Sequence, residues 1–423
     1  MARYIYIVVL VLAGEMVFGL PFHTARFFRP TMLEVFNFTN TQLGDLFAVY
    51  GITAMLCYFP GGAIADRYSA RTLLSTSLIA TGIGGLYMTT IPSALEMGIL
   101  YGFWGITSIF LFWGALIRAT REWGGKAEQG MAFGLLEGGR GVAAAVFASL
   151  LVMVLAVYMP ADARLATDAE RETGFRMVIL GYSLITIGIG LLTWFLIPAA
   201  EPSSERRQNP FPNMLVVIRR PIIWAQAAII VCAYCTYKAV DYYSLYLVEV
   251  IGMDEVQAAR VASWGAFIRP VGALTAGIMA DRFNTRGSLG VAFAVLGTSY
   301  FVLSMAMPDT TGRFVIYANL AISLFAVFAL RGIYFALLQE TRTPRHITGA
   351  AVGLISVVGY TPEIFFGPIA GRILDATPGA GGFHDLFAFL TGIMALGVIV
   401  VIWLSWLRRN NQAPDTASQP PVA

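Results

Sequence analysis

Histidine and cysteine are nearly absent from this chain, three of each among 423 residues. His23, His346 and His384 lie too far apart to form a metal-ligand run, and Cys57, Cys232 and Cys235 match neither a disulfide framework nor a zinc spacing. Cys232 and Cys235 do make a C-x-x-C, but it sits within IIVCAYCTY and reads as small packing residues. A phosphate-cradling glycine loop and a nucleophile elbow are also missing, so nothing in the sequence supports catalysis or nucleotide-driven work. No metal, no cofactor and no nucleic acid is implied. Charge is scarce as well: 13% of residues are Asp, Glu, Lys or Arg, against about 25% in soluble domains. Strict apolar/polar alternation over roughly ten-residue segments is lacking, which excludes a transmembrane β-barrel.

What is present is apolar. Hydrophobic residues make up 57% of the chain and the mean hydropathy is +0.70. About 20 apolar residues of helix cross a bilayer core of about 30 Å. Runs of that kind recur at 4–27, 43–65, 72–91, 94–117, 129–158, 175–197, 222–250, 258–280, 288–307, 313–338, 348–373 and 384–407. These predict helices 1 to 12 of an all-α membrane protein. The first run, YIYIVVLVLAGEMVFGL, lacks a small-residue cleavage site and is too long for a secretion signal, so it is read as helix 1. Arginine and lysine gather in alternate loops, among them Arg118, Arg121, Lys126, Arg206, Arg207, Arg219, Arg220, Arg408 and Arg409. The positive-inside rule then puts both termini in the cytoplasm.

A proline-rich, charged stretch, PAAEPSSERRQNPFPNMLVVIRRP, divides the chain. The expected organisation is a six-helix bundle over 1–200, a cytoplasmic linker at 201–220, a second six-helix bundle over 221–409 and a disordered cytoplasmic tail at 410–423. The halves repeat. GAIADRYSAR, Gly62 to Arg71, follows helix 2, and GIMADRFNTR, Gly277 to Arg286, follows helix 8, with Asp281 trailing Asp66 by 215 positions. AFGLLEGG in helix 5 is echoed by AVGLISVV in helix 11. Such a parallel duplication predicts two bundles related by a pseudo-two-fold axis along the membrane normal, with a cavity between them.

The doubled G-x-x-x-D-R-x-x-x-R resembles the signature of the major facilitator superfamily, and the resemblance extends over about 4–407. It implies a secondary transporter working by rocker-switch alternating access, whose inner gate would use Gly62, Asp66, Arg67, Arg71, Gly277, Asp281, Arg282 and Arg286. Gly61, Gly62 and Gly277 are expected to allow close helix approach at that gate. The alternative reading of the charged loops is solvated positive-inside charge.

Charges inside the spans are few, and each costs roughly 2.5–3.5 kcal/mol on insertion scales, so each needs a partner, a cavity or a function. They are Glu15 in helix 1, Glu137 and Arg140 in helix 5, Lys238 and Asp241 in helix 7, Arg269 in helix 8, Arg331 in helix 10 and Glu363 in helix 11, with His23 and Arg26 near one end of helix 1. The 215-residue offset maps His23 onto Lys238 and Arg26 onto Asp241, each pair on one helix face at i, i+3. Glu137 with Arg140 and Lys238 with Asp241 read as self-neutralising pairs, whereas Arg26, Arg269 and Arg331 have no local acid. A surplus of cations predicts an anionic small-molecule substrate. The expected binding residues are His23, Arg26, Arg140, Lys238, Asp241, Arg269, Arg331 and Tyr237, and the expected proton-coupling candidates are Glu15, Glu137, Asp241 and Glu363.

FWGALIRATREWGGKAEQGMAFGLLEGGRG, across helices 4 and 5, is similar to the organophosphate and organic-anion branch of the superfamily. Its phosphate-binding arginines would fall on Arg26 and Lys238, and its substrate-facing histidine on Arg140. Lysine lacks the arginine fork and arginine lacks histidine's pH response, so the resemblance carries over a binding region and not a substrate. The expected cargo is a small organic anion (sugar acid, sulfonate, carboxylate or phosphate ester), driven by a proton or counter-anion gradient, in a bacterial inner membrane protein acting as a monomer. The competing readings are a proton-coupled exporter of drugs or metabolites and a non-transporting receptor. For the exporter, a GPIAG at Gly367 to Gly371 lies in helix 11 rather than helix 5. Asn37-Phe38-Thr39 matches a glycosylation sequon and is discounted for a bacterial protein.

Overall fold

A computed structural model describes residues 2–125, 128–199, 211–334, 337 and 345–412. Among them every regular element is helical. Helix 1 is Ala2–Met16 followed by Gly19–His23 and Thr24–Phe27, with a 43° bend at the break. Helix 2 is Asn40–Arg67, bent by 56° at Pro60, where proline removes a ladder hydrogen bond. Helices 3 to 6 are Ala70–Met88, Ala94–Gly124, Gln129–Tyr158 and Asp168–Leu196. Helix 7 is Pro221–Glu249, and helix 8 is Glu255–Gly265 with Ile268–Arg282. Helices 9 and 10 are Thr285–Leu303 and Arg313–Ile333. Helix 11 is Arg345–Gly359 with Pro362–Ala376, and helix 12 is Ala380–Gln412.

Among the described residues eight of these are long and apolar enough to cross a membrane, and the bent pairs of helices 1 and 2 bring the number to ten. Helices 3 and 8 complete the twelve. Helix 3 is diluted by hydroxyls, which find partners inside the bundle: Ser75 donates to the Gly190 carbonyl at 2.7 Å, and Ser77 to the Thr107 carbonyl at 2.7 Å. Helix 8 is short on either side of its break.

The core divides as the chain does. One apolar cluster draws on residues from Ile7 to Ile197, joined by Val256, Ala259, Ala262 and Ala266 of helix 8; the other runs from Val217 to Leu404. Cys232 and Cys235 are buried free thiols in the second cluster. Thr39 of the sequon caps helix 2, where its hydroxyl accepts from the Gln42 amide.

The halves meet most tightly along helices 2 and 11. A Cβ on Gly44 would collide with the Gly367 carbonyl, one on Gly371 with the Asn40 carbonyl, and one on Gly51 would lie 2.8 Å from the Glu363 carbonyl oxygen. Close approach is thus found at Gly44 and at the helix 11 GPIAG, and the sequence-based expectation for Gly62 and Gly277 is corrected. Among the described residues nothing lies within 4 Å of a Cβ built on either, whereas Gly61 is crowded by Ile109 and Phe110.

At the same end of the molecule, which we call the far face, polar bonds cross between halves. Asp375 of helix 11 accepts from the Asn40 and Thr41 amides at 3.1 and 2.7 Å, capping helix 2. Arg171 of helix 6 reaches Glu255 of helix 8 at 2.6 Å, Thr31 donates to the same carboxylate at 2.7 Å, and Arg372 pairs with Asp45 at 3.0 Å.

At the opposite end, Arg118 of helix 4 donates to the carbonyls of Ala65 and Tyr68 at the end of helix 2. Arg71 lies 4.9 Å over the Trp194 ring of helix 6. These contacts stay within the first half. The side chain of Asp281, residues 201–210 of the linker and the tail from 413 lie outside the described residues.

Candidate functional site

Breaks in helices 1 and 7 bring the buried charges together. Pro21 interrupts the helix 1 ladder, and the chain takes a π turn over Gly19–His23 that ends at His23. Helix 7 tightens into a 3-10 turn at Val240–Tyr242, which holds Asp241; neither proline nor glycine marks it in the sequence.

Two ion networks result. In the first, Arg140 donates to Glu15 at 2.9 Å and to Glu137 at 2.7 Å, while Arg269 reaches the same two carboxylates at 3.2 and 3.1 Å. The four form a closed ring, with Arg269 from the second half clasping two acids of the first. Gly141 permits this, because a Cβ there would lie 3.1 Å from the Arg269 stem. His23 adds Nε2 at 3.2 Å from Glu15, and its Nδ1 is buried without a partner.

In the second network Arg26 donates to Asp241 at 2.6 Å, Lys238 contacts Asp241 at 3.0 Å and Glu363 at 3.1 Å, and the Tyr234 hydroxyl donates to Glu363 at 2.8 Å. Arg26 also donates to the Tyr237 hydroxyl at 3.1 Å. This network ties helix 1 of one half to helices 7 and 11 of the other.

Between the networks lies a cavity of about 900 Å³, the open space at its mouth included. Of the expected binding residues, His23, Arg26, Arg140, Lys238, Arg331 and Tyr237 line it, as do Glu15 and Glu363 of the coupling candidates. Asp241 and Arg269 do not: they are buried behind the wall, 0% and 5% exposed, with their charges turned to partners. Glu137 is likewise outside the lining, though its side chain is 45% exposed. Arg26 and Arg269 have no acid within a turn of them on their own helices, as the sequence shows, yet neither is unpaired. Their acids come from the opposite half, which spacing along one helix cannot reveal.

Helix 7 tyrosines stand out in the sequence as candidate hydroxyl donors, but sequence reasoning missed the rings of helices 2 and 11 that join Tyr234 in an aromatic wall. Tyr58 of helix 2 stacks on Tyr360 of helix 11, rings 7° from parallel, and Tyr360 meets Tyr234 edge to face at 5.0 Å. With Tyr50 and Trp113, these rings also line the cavity. The only advance signal was an aromatic residue in mid-span, which membrane helices carry for many reasons.

A twelve-helix duplicated bundle enclosing a charged, aromatic cavity between its halves is the architecture of a secondary membrane transporter. The family model described as Major Facilitator Superfamily matches residues 11–368. The chain belongs to that superfamily and is a membrane transporter, not an enzyme. It is 28% identical to Inner membrane protein YqcE of Escherichia coli (strain K12), over 98% of each chain. It is 25% identical to the Probable nitrate/nitrite antiporter NarK1 of Thermus thermophilus, over 88% of this chain and 82% of that one. Identity to the Probable galactarate/D-glucarate transporter GudP of Bacillus subtilis (strain 168) is 22%, over 89% and 87%. Among solved structures, a bacterial homolog of the human lysosomal transporter Spinster, inward-facing and unoccupied, superposes with a TM-score of 0.78 at 14% identity, covering 98% of this chain and 99% of that one.

Proposed function

We propose that the protein moves a small organic anion across a bacterial inner membrane by alternating access. The observation that carries this reading is the charge of the central site. Five cations, Arg26, Arg140, Lys238, Arg269 and Arg331, face four carboxylates, Glu15, Glu137, Asp241 and Glu363, so the side chains of the site carry a positive excess. An apolar-walled cleft of one sign concentrates ligands of the other. NarK1 and GudP bear names that describe anions, which fits the same reading.

His23, Arg26, Arg140, Lys238, Arg331 and Tyr237 contact the substrate in this proposal, while Asp241 and Arg269 hold Arg26, Lys238 and the two helix 5 and helix 1 acids in place. Glu15, Glu137, Asp241 and Glu363 are the groups through which a proton gradient would couple, since each shares cations with the cavity wall; counter-anion exchange is the other driving force. The end bearing the loops after helices 2 and 8 is cytoplasmic, with both termini, and the halves correspond to 1–200 and 221–409 joined by 201–220. The far-face seal then makes the described state closed to the outside. Asp66, Arg67, Asp281 and Arg282 would close the cytoplasmic end in the opposite state, and the protein acts as a monomer.

Proteoliposomes loaded with unlabelled anion test the reading. Labelled sugar acids, sulfonates and phosphate esters should enter by exchange or with an imposed proton gradient, and Lys238→Ala and Arg26→Ala should each abolish entry. Full uptake in both variants would refute the site; preferential uptake of lipophilic cations would replace the anion reading by that of an exporter.

A further inference from the structure

The two ion networks leave the cavity's charge in one place. Glu15 and Glu137 balance Arg140 and Arg269, and Asp241 and Glu363 balance Arg26 and Lys238. Each network is neutral, largely dry and anchored in both halves. Withdrawing a cation from either to serve a ligand leaves a buried carboxylate without its partner, which is strongly unfavourable. Arg331 belongs to neither. Among the described residues no carboxylate lies within 4 Å of it, and its guanidinium carbon sits 4.0 Å over the Tyr237 ring. Its Nη1 is buried with no hydrogen-bond partner. It lines the cavity, and Tyr237 carries Arg26 at 4.6 Å as well.

Resting on the anion reading above, we propose that the substrate is a monoanion whose single carboxylate or sulfonate is held by Arg331. One negative charge completes the guanidinium's bonding and brings the whole site to neutrality. A carboxylate or sulfonate offers two oxygens to the arginine fork. A dicarboxylate or a phosphate ester would bring about two charges at neutral pH against one, and would place the second beside Glu15 and Glu363, which also line the cavity. The uncharged part of the substrate lies against Tyr58, Tyr234 and Tyr360, so a hydroxylated carbon chain suits the wall better than a bare hydrocarbon.

Thermal melting of the full-length protein in detergent separates the outcomes. Gluconate and isethionate serve as monoanions, glucarate and glucose 6-phosphate as dianions, and glucose as the neutral control. The expected result is that at least one monoanion raises the melting temperature at a concentration tenfold or more below that needed by either dianion. Arg331→Gln should erase that shift, and Arg331→Lys should restore part of it. A second arm needs no ligand: Arg331→Gln should melt no lower than the parent, because it removes a cation that makes no ion pair among the described residues, whereas Arg140→Gln should melt lower. Dianions acting at equal or lower concentration, or Arg331→Gln retaining the monoanion shift, would overturn the assignment while leaving the anion reading intact. Glucose matching gluconate, or no shift from any anion, would overturn both.

Discussion

Arg26 and Asp241 are the same position in two copies of one ancestral unit, 215 residues apart, and they bond to each other at 2.6 Å. A symmetry axis through the molecule therefore passes beside an ion pair made of its own equivalents. Asp241→Asn should leave Arg26 without a carboxylate and Lys238 with Glu363 alone, at a cost of about 3–5 kcal/mol for a buried pair, and should lower the melting temperature and stop transport. The exchange Arg26→Asp with Asp241→Arg keeps the charge and the symmetry; we expect it to regain more than half of the lost melting temperature. No regain would mean that shape rather than charge holds the pair.

Arg269 forks across Glu15 and Glu137 from the other half. Arg269→Lys keeps the charge but can serve one acid well, not both. Folding should survive, while exchange of labelled anion should slow about tenfold, the effect of about 1.4 kcal/mol in a barrier. Unchanged exchange would place the ring outside the transport cycle.

Gly44 and Gly367 touch backbone to backbone, so Gly44→Ala should stop the far face from closing. With native cysteines replaced and spin labels at Gln42→Cys and Ala376→Cys, the label separation should shift to longer values in the alanine variant. Identical distances would show that the helices can adjust around a methyl group.

Arg29 is fully buried, 3.9 Å over the Tyr242 ring, and bonds Asn40 through Nε, while neither Nη atom has a hydrogen-bond partner among the described residues. Burying a charge without an acid is unfavourable, so this residue opposes the closed far face. Arg29→Met, similar in reach and uncharged, should raise the melting temperature and slow exchange together. A lower melting temperature would mean that the ring contact outweighs desolvation.

The fold was legible because a bilayer imposes long apolar helices and duplication writes its offset into the sequence. Helix 5 was read at Gln129–Tyr158 with both ends correct. The spans of helices 1, 8 and 11 were read as continuous, but they break at Val17, Ala266 and Tyr360, where the chain re-aims charged or aromatic side chains toward the centre. The charged residues of the site were legible because membrane burial makes each one conspicuous. Their partners were not: Glu363 with Lys238 and Arg269 with Glu15 join helices distant in sequence. The tyrosine wall was hidden for a related reason, since a ring in a membrane helix carries no mark of which way it faces.

The first turn of helix 2 is completed by a residue it does not own. Asp375 accepts from the amides of Asn40 and Thr41, so the hydrogen bonding of one half depends on the position of the other. Helix capping by a carboxylate is worth about 0.5–2 kcal/mol, and separation of the halves hands both amides to water. Deuterium uptake at Asn40 and Thr41 should consequently rise and fall with far-face opening, making two backbone protons a record of the fraction of time the transporter spends open at that face.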